Sequence, residues 1–492
     1  GNILMASVKQ AKTKLNSLPK SPTGIPGLDE ITGGGLPQGR PTLVAGAAGC
    51  GKTLFAMEFL VNGAVEYGEP GVFVAFEENA EELAQNVASL GFDLKKLIRQ
   101  KKLIVDYVRI ASSEIEEAGE YDLEGLFIRL GHAIDSIGAK RVVLDTIEVL
   151  FSSFPNEGIL RAELHRLFRW LKDKGVSAIV TGERGEGSVT RFGLEEYVAD
   201  CVILLDQRVS GQIATRRLRI LKYRGSLHGT NEYPFLIGRN GISVLPITSL
   251  NLEHEASRER LSTGIPELDE MLGNKGFYRG SSVLLSGTAG SGKTSLAASI
   301  VNAACQRGER CLYFAFEESP SQILRNMSSI GLDLAPHVKE GLLRFHATRP
   351  SVYGLEMHLV TMHDLIREQR PDVVVLDPIT DFAVVGSEAE VKSAITRMID
   401  FFKLNGITAL FTSIVSEKEA VDESIVGVSS LIDAWISLRN IENDGERHRG
   451  LFILKSRGMP HSSQIRSLRL TDDGIKIGAM DMAGRRSVTE PT

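Results

Sequence analysis

Along the chain, short runs that are apolar at nearly every position alternate with longer stretches whose apolar residues recur every three or four positions. "PTLVAG" (Pro41–Gly46), "SSVLLSG" (Ser281–Gly287), "VVVLD" (Val373–Asp377) and "GITALFTS" (Gly406–Ser413) are of the first kind. "GKTLFAMEFLVNGAVEYG" (Gly51–Gly68) and "RAELHRLFRWLKDKG" (Arg161–Gly175) are of the second. The short runs fit strands buried on both faces, and the longer period fits helices. Strands without a polar face belong in a mostly parallel sheet flanked by helices, so the pattern predicts an α/β fold. Two later segments, "LRILKYRG" (Leu218–Gly225) and "LFILKSRG" (Leu451–Gly458), alternate differently and predict an antiparallel extension at the sheet edge.

The pattern occurs twice. "TGIPGLDE" at Thr23–Glu30 returns as "TGIPELDE" at Thr263–Glu270, an offset of 240. "VFVAFEEN" (Val72–Asn79) matches "LYFAFEES" (Leu312–Ser319), "RVVLDT" (Arg141–Thr146) matches "VVVLDP" (Val373–Pro378), and "LKYRGSLH" (Leu221–His228) matches "LKSRGMPH" (Leu454–His461). Blocks repeated in one order predict two homologous domains, residues 15–247 and 258–480, and the period is far too long for a solenoid. The polar stretch "SLNLEHEASRER" suits an exposed linker, placed at 248–257. Residues 1–14 read as an extension or expression scar, and 481–492 as a short tail.

Composition narrows the class. A length of 492 residues allows two to four domains, and 42% apolar with 24% charged residues suits a globular protein. No run of eighteen apolar residues occurs and no secretory pattern opens the chain, which predicts a cytoplasmic protein without membrane association. Cys50, Cys201, Cys305 and Cys311 show no CxxC spacing, so reduced thiols are expected. A net charge of −6 offers no global attraction to nucleic acid.

The strongest chemical signal is a doubled phosphate loop. "GAAGCGKT" (Gly46–Thr53) and "GTAGSGKT" (Gly287–Thr294) both fit G-x-x-x-x-G-K-[ST], each between a strand-like and a helix-like run. Gly49, Gly51, Gly290 and Gly292 let backbone N–H groups turn onto phosphate, and the helix N-terminus adds its positive end. Lys52 and Lys293 would reach the β- and γ-phosphates of ATP, and Thr53 and Thr294 would bind Mg²⁺. Asp145 and Asp377 end apolar strands, where an acidic residue holds the metal's water shell. The pairs Glu77-Glu78 and Glu317-Glu318 follow another strand, at the carboxyl edge where ligands bind. One member of each pair would activate the attacking group, with Glu78 and Glu318 preferred. Lys222, Arg224 and His228, matched by Lys455, Arg457 and His461, recur as a cationic trio that would reach a neighbouring subunit's triphosphate if the domains form rings.

Taken together, these blocks resemble the KaiC family, double-domain RecA-like P-loop ATPases of the bacterial circadian clock. The resemblance covers nearly the whole chain. It implies a homohexamer of two stacked rings with ATP between subunits, slow hydrolysis in the first ring, and self-phosphorylation and dephosphorylation in the second. Aligning Asp200 with Asp433 sets Glu196-Tyr197 opposite Ser429-Ser430. Only the second domain therefore offers adjacent hydroxyls, and the resemblance implies Ser429 and Ser430 as phosphoacceptors, with Ser424 as a neighbouring regulatory position. Glu318 would activate the serine, making the protein an ATPase and a serine/threonine autokinase. Docking of KaiB on the first ring is implied too. The short tail, unlike that of cyanobacterial members, argues against KaiA binding and suggests a non-cyanobacterial type of member.

A rival from another class is a RecA-like recombinase or helicase acting on DNA. It requires basic loops facing a channel, whereas "GERGEGSVTRFG" and "SEKEAVDESIVG" are mixed or acidic. A scaffold using ATP only to assemble would not need the carboxylate pairs.

Overall fold

The computed structural model describes residues 18–108, 123–151, 157–185, 199–210, 213–246, 257–415, 430–443 and 446–480. The expected extension 1–14, the tail 481–492 and nearly all of the linker 248–257 lie outside them, as do Ser424 and Ser429. The chain divides into two compact units, Gly1–Thr248 and Ser249–Thr492.

In the first unit a short ladder of β1 (Lys20–Ser21) and β2 (Leu36–Pro37) precedes the main sheet. That sheet holds β3 (Pro41–Gly46), β4 (Gly71–Ala75), β5 (Leu103–Tyr107), β6 (Arg141–Asp145), β7 (Ser177–Glu183), β8 (Cys201–Ser210), β9 (Ile213–Tyr223), β10 (Glu232–Gly238) and β11 (Gly241–Val244). Their order is β11-β10-β9-β8-β3-β7-β6-β4-β5. From β5 to β8 the strands are parallel, and β8 to β11 form the antiparallel extension.

The second unit repeats the plan. A ladder of β12 (Arg260–Leu261) and β13 (Phe277–Tyr278) precedes β14 (Ser282–Gly287), β15 (Cys311–Ala315), β16 (Leu343–Ala347), β17 (Val373–Asp377), β18 (Thr408–Ile414), β19 (Ala434–Asn443), β20 (Glu446–Ser456), β21 (Arg466–Thr471) and β22 (Gly474–Ala479). The order is β16-β15-β17-β18-β14-β19-β20-β21-β22. In both units the strand that leads into the phosphate loop, β3 or β14, lies inside the sheet with a parallel neighbour on each side.

In the first unit the apolar strands are explained by a core on each face of the sheet. On one face Val44, Phe73, Val143 and Ile203 meet Phe55, Phe59 and Leu60 of the helix Lys52–Glu66. On the other, Leu43, Val72, Val142 and Leu144 meet Leu130, Leu167 and Leu171. Successive side chains of β6, from Val142 to Leu144, thus enter opposite cores, which suits apolar residues at those positions. The acidic residue ending β6 marks where the sheet meets solvent and ligand.

Glu58 is among the polar side chains buried in that packing. It is 2% exposed, accepts a 2.7 Å hydrogen bond from the Ile242 N–H and ties the helix Lys52–Glu66 to β11. Burial pushes its carboxyl up to about 8, against the pull of that N–H. Because the folded value lies above the unfolded one, the contribution to stability is complete below about 4.5 and is lost as pH rises through about 8. The melting temperature of the first unit should therefore fall by roughly 5 °C or more between pH 5 and 8.5. Glu58→Gln should flatten this slope in calorimetry; an equal slope in the variant would assign the pH effect to other groups.

Candidate functional site

Each phosphate loop joins the end of β3 or β14 to a long helix. Gly51 and Gly292 cap the helices Lys52–Glu66 and Lys293–Gln306 with φ of 104° and 101°, the left-handed region that favours glycine. A Cβ on Gly51 would also stand 2.9 Å from Ile237 Cδ1. No side chain caps either helix, so the first N–H groups are left for an anion. Lys52 Nζ donates to the carbonyls of Gly46 (2.8 Å) and Ala47 (2.9 Å). Lys293 Nζ does the same to Gly287 (2.9 Å) and Thr288 (2.7 Å). Both lysines are buried against the loop. Burial lowers the Lys293 ammonium, opposed by the carboxylates of Asp377 and Glu317.

The strand-end aspartates stand beside these loops. Asp145 accepts from Thr53 Oγ1 at 2.8 Å and from Thr181 Oγ1. Burial pushes its carboxyl up, against both donors and Lys52. Asp377 accepts from Thr412 Oγ1 and from the buried Tyr313 hydroxyl. The second unit thus uses a phenol where the first has Phe73 at the matching strand position. Thr181, Thr412 and Tyr313 were not singled out from sequence. The only signal for them was that the two threonines occupy matching places in β7 and β18.

Both glutamate pairs lie in the turn between a strand and a capped helix. Asn79 and Ser319 form the capping boxes, with Glu82 and Gln322, so the preceding pairs are not needed as caps. Glu77 is exposed, and Glu78 accepts from Asn86 Nδ2 at 3.2 Å. In the second unit Glu317 and Glu318 line a cleft of about 400 Å³ with Lys293, Thr294, Asn326 and Asp377. Burial and the charges of Asp381 and Asp377 push the Glu317 carboxyl up, while Lys293 opposes them. Glu318 is in contact with Asn326 Nδ2 at 3.5 Å.

The cationic trios are placed elsewhere. Lys222 pairs with Val202, and Val202 with Leu43, near the start of β3 rather than its Gly46 end. Lys455 pairs with Trp435, and Trp435 with Leu284, again short of Gly287. Arg224 and Arg457 lie further out, their N–H groups on the carbonyls of Asp200 (2.8 Å) and Asp433 (2.7 Å). Three strand residues separate the lysines from their own loops, about 10 Å, and the arginines are farther still. His228 is half-buried beside Tyr223, and His461 is exposed. Ser430 is at this remote end too: Arg457 donates to its carbonyl, and Lys403 Nζ holds the Leu431 carbonyl at 3.2 Å. Ser429 lies outside the described residues.

Two tandem units, each with a glycine loop on an inner parallel strand and an acidic residue ending a nearby one, define a duplicated RecA-like P-loop ATPase. A family model described as KaiC ATPase matches twice, over residues 21–249 and 261–481. Circadian clock protein KaiC2 of Synechocystis sp. is 58% identical over 463 residues, which span 94% of this chain and 82% of that one. The circadian clock oscillator protein KaiC of Parathermosynechococcus lividus is 38% identical over 470 residues (94% and 86%), and that of Synechococcus elongatus 37% over 481 (96% and 92%). The chain belongs to the KaiC family of circadian clock ATPases. No described helix is long and apolar enough to cross a membrane.

Two loops of equal geometry should bind two nucleotides per chain. Lys52→Ala or Lys293→Ala should each reduce this stoichiometry to one in a calorimetric titration with ATP, and the double variant should bind none.

Proposed function

We propose that the chain hydrolyses ATP in its first domain and, in its second, transfers the γ-phosphoryl group of ATP to Ser429 or Ser430 of an adjacent copy. The observation that carries this reading is the place of Ser430, at the end of the sheet remote from its own phosphate loop. A serine there is out of reach of the γ-phosphate bound by the same domain. A neighbouring copy in a ring presents it instead, along with Lys455 and Arg457. The homohexamer of two stacked rings follows from this need and from family membership, and docking of a KaiB-like protein on the first ring follows from membership alone.

The donor set fits Mg·ATP. Among the described residues no group of three or more His, Cys, Asp or Glu forms a metal cage. Each loop has instead one hydroxyl and one carboxylate, Thr53 with Asp145 and Thr294 with Asp377, which suits an ion that keeps waters and phosphate oxygens as its other ligands. Bound there, Mg²⁺ would neutralise charge on the triphosphate. Gly49, Gly51 and Lys52, and Gly290, Gly292 and Lys293, would hold the phosphates. Glu318, or its neighbour Glu317, would take the serine proton as the serine Oγ–P bond forms and the bond to ADP breaks. Glu77 and Glu78 would orient water in the first domain. Hydrolysis of the phosphoserine with water as acceptor would reverse the modification.

A phosphate on Ser430 would bring about −1.5 to −2 charge to a cationic corner. Burial, together with the charges of Arg457 and Lys403, already lowers the Lys455 ammonium there, against the pull of Asp433. The new charge would be balanced rather than repelled.

Co-assembling a Lys293→Ala chain with a Ser429→Ala/Ser430→Ala chain tests this in one sample. With Mg·ATP, intact-mass and phosphopeptide analysis should find phosphate on the Lys293→Ala chain in the mixture, on neither chain alone, and should see it disappear once ATP is exhausted. ADP accumulating without any mass shift, or phosphoserine elsewhere, would overturn the assignment.

A further inference from the structure

The first unit carries near its phosphate loop a carboxyl group that the second lacks. Glu148 opens the short helix Glu148–Phe151 three residues beyond Asp145, and counting from the strand-end aspartates puts Thr380 in its place in the second unit. Its Oε1 accepts the N–H of Glu183, the last residue of β7, at 2.5 Å. The next N–H, that of Arg184, goes to the Gly46 carbonyl at 3.1 Å, the same oxygen that receives Lys52 Nζ at 2.8 Å. A continuous path therefore joins Glu148 to the lysine of the loop. The second unit keeps this link with different chemistry. Val415 N–H meets the Gly287 carbonyl at 3.1 Å, but the preceding Ile414 N–H finds only the neutral Thr380 hydroxyl, at 3.5 Å.

The other oxygen of Glu148 is not explained by this role. Oε2 is buried and has no hydrogen-bond partner among the described residues. A buried carboxylate oxygen left unpaired is costly, so the neutral acid is the favoured form while nothing compensates it. The charged groups facing it are Lys52, on the helix after the loop, and Glu183, on β7.

We propose that Glu148 is a positioning residue of the first ATP site alone, holding the end of β7 against the phosphate loop and, on ionising, setting a negative charge against the bound triphosphate. The inference rests on ATP binding at the first loop and goes beyond it, since it gives the first site a proton-responsive group that Thr380, at the matching position of the second, cannot supply. Burial and the Glu183 charge raise the carboxyl to about 7, the Glu183 N–H and Lys52 opposing. Linkage is reciprocal: a triphosphate that disfavours the ionised acid must bind more weakly as pH rises through that value. A like charge set near the triphosphate should cost roughly fivefold in affinity.

The test uses the full chain carrying Lys293→Ala, so that only the first site binds, and a fluorescent ATP analogue titrated from pH 6 to 8.5. The nucleotide's own ionisation affects parent and variant equally, so the informative quantity is their affinity ratio. Glu148→Gln keeps an oxygen for the Glu183 N–H and cannot ionise. Relative to this variant, parent affinity should fall roughly fivefold across the range. Glu148→Thr, which installs the residue of the second unit, should give the same pH-dependent affinity ratio to the parent as Glu148→Gln and, lacking a matched acceptor, a lower kcat as well. A ratio that stays constant with pH for both variants would overturn the proposal. No binding by the parent at any pH would instead overturn the ATP assignment of the first loop, and the proposal with it.

Discussion

The carbonyl oxygen of Gly46, with that of Gly287 in the second unit, is the point on which each site depends. It ends the strand before the phosphate loop and accepts two donors, the loop's own lysine and the first N–H beyond the neighbouring strand. The loop is thereby fixed to the sheet before any ligand arrives. With its amides already turned by glycines at positive φ, an anion meets a preorganised cradle and pays little to order it. Lysines buried on carbonyls are also poised to move: exchanging two neutral oxygens for phosphate oxygens is favourable without any large rearrangement of the chain.

Strand direction supplies the second constraint. Because β9 and β20 run antiparallel to their neighbours β8 and β19, cations near their ends are carried to the edge of the sheet away from the loop. A single unit therefore holds its phosphate loop and its Lys-x-Arg strand end at opposite ends of the sheet. Under the proposed transfer between copies, assembly into a ring would unite them without a hinge within the chain. At that end Arg457 and Lys403 hold the successive carbonyls of Ser430 and Leu431.

Much of this was legible beforehand because its signals are local. Strands buried on both faces, glycine loops and an acidic residue at a strand end are each written in a few consecutive residues, and the repeat lets one copy check the other. What escaped notice comes from residues that meet only through register. Thr181 reaches Asp145 because β7 lies beside β6, and Tyr313 reaches Asp377 because β15 lies beside β17. Inside an apolar run a threonine or tyrosine looks like an ordinary β-former. Glu148, at the start of a short helix, is likewise tied to the site only by a contact between elements, its Oε1 on the Glu183 amide. The opposite-end location of Lys222 and Lys455 needed strand direction, which spacing alone does not carry.

The two copies are most informative where they differ, since a shared fold makes each substitution a controlled comparison. Around the aspartates the first unit places the loop threonine on Asp145, while the second satisfies Asp377 with Thr412 and Tyr313. Both oxygens of Asp377 thus have donors from the sheet itself, which frees the Thr294 hydroxyl from that duty. At the end of β7 the first unit uses a carboxyl acceptor and the second a hydroxyl. These changes fall on groups that contact the strand-end aspartate or stand behind the carbonyl that holds the loop lysine. Differences at these positions alter the charge and hydrogen bonding behind each loop while the loop glycines and lysine stay the same in both units.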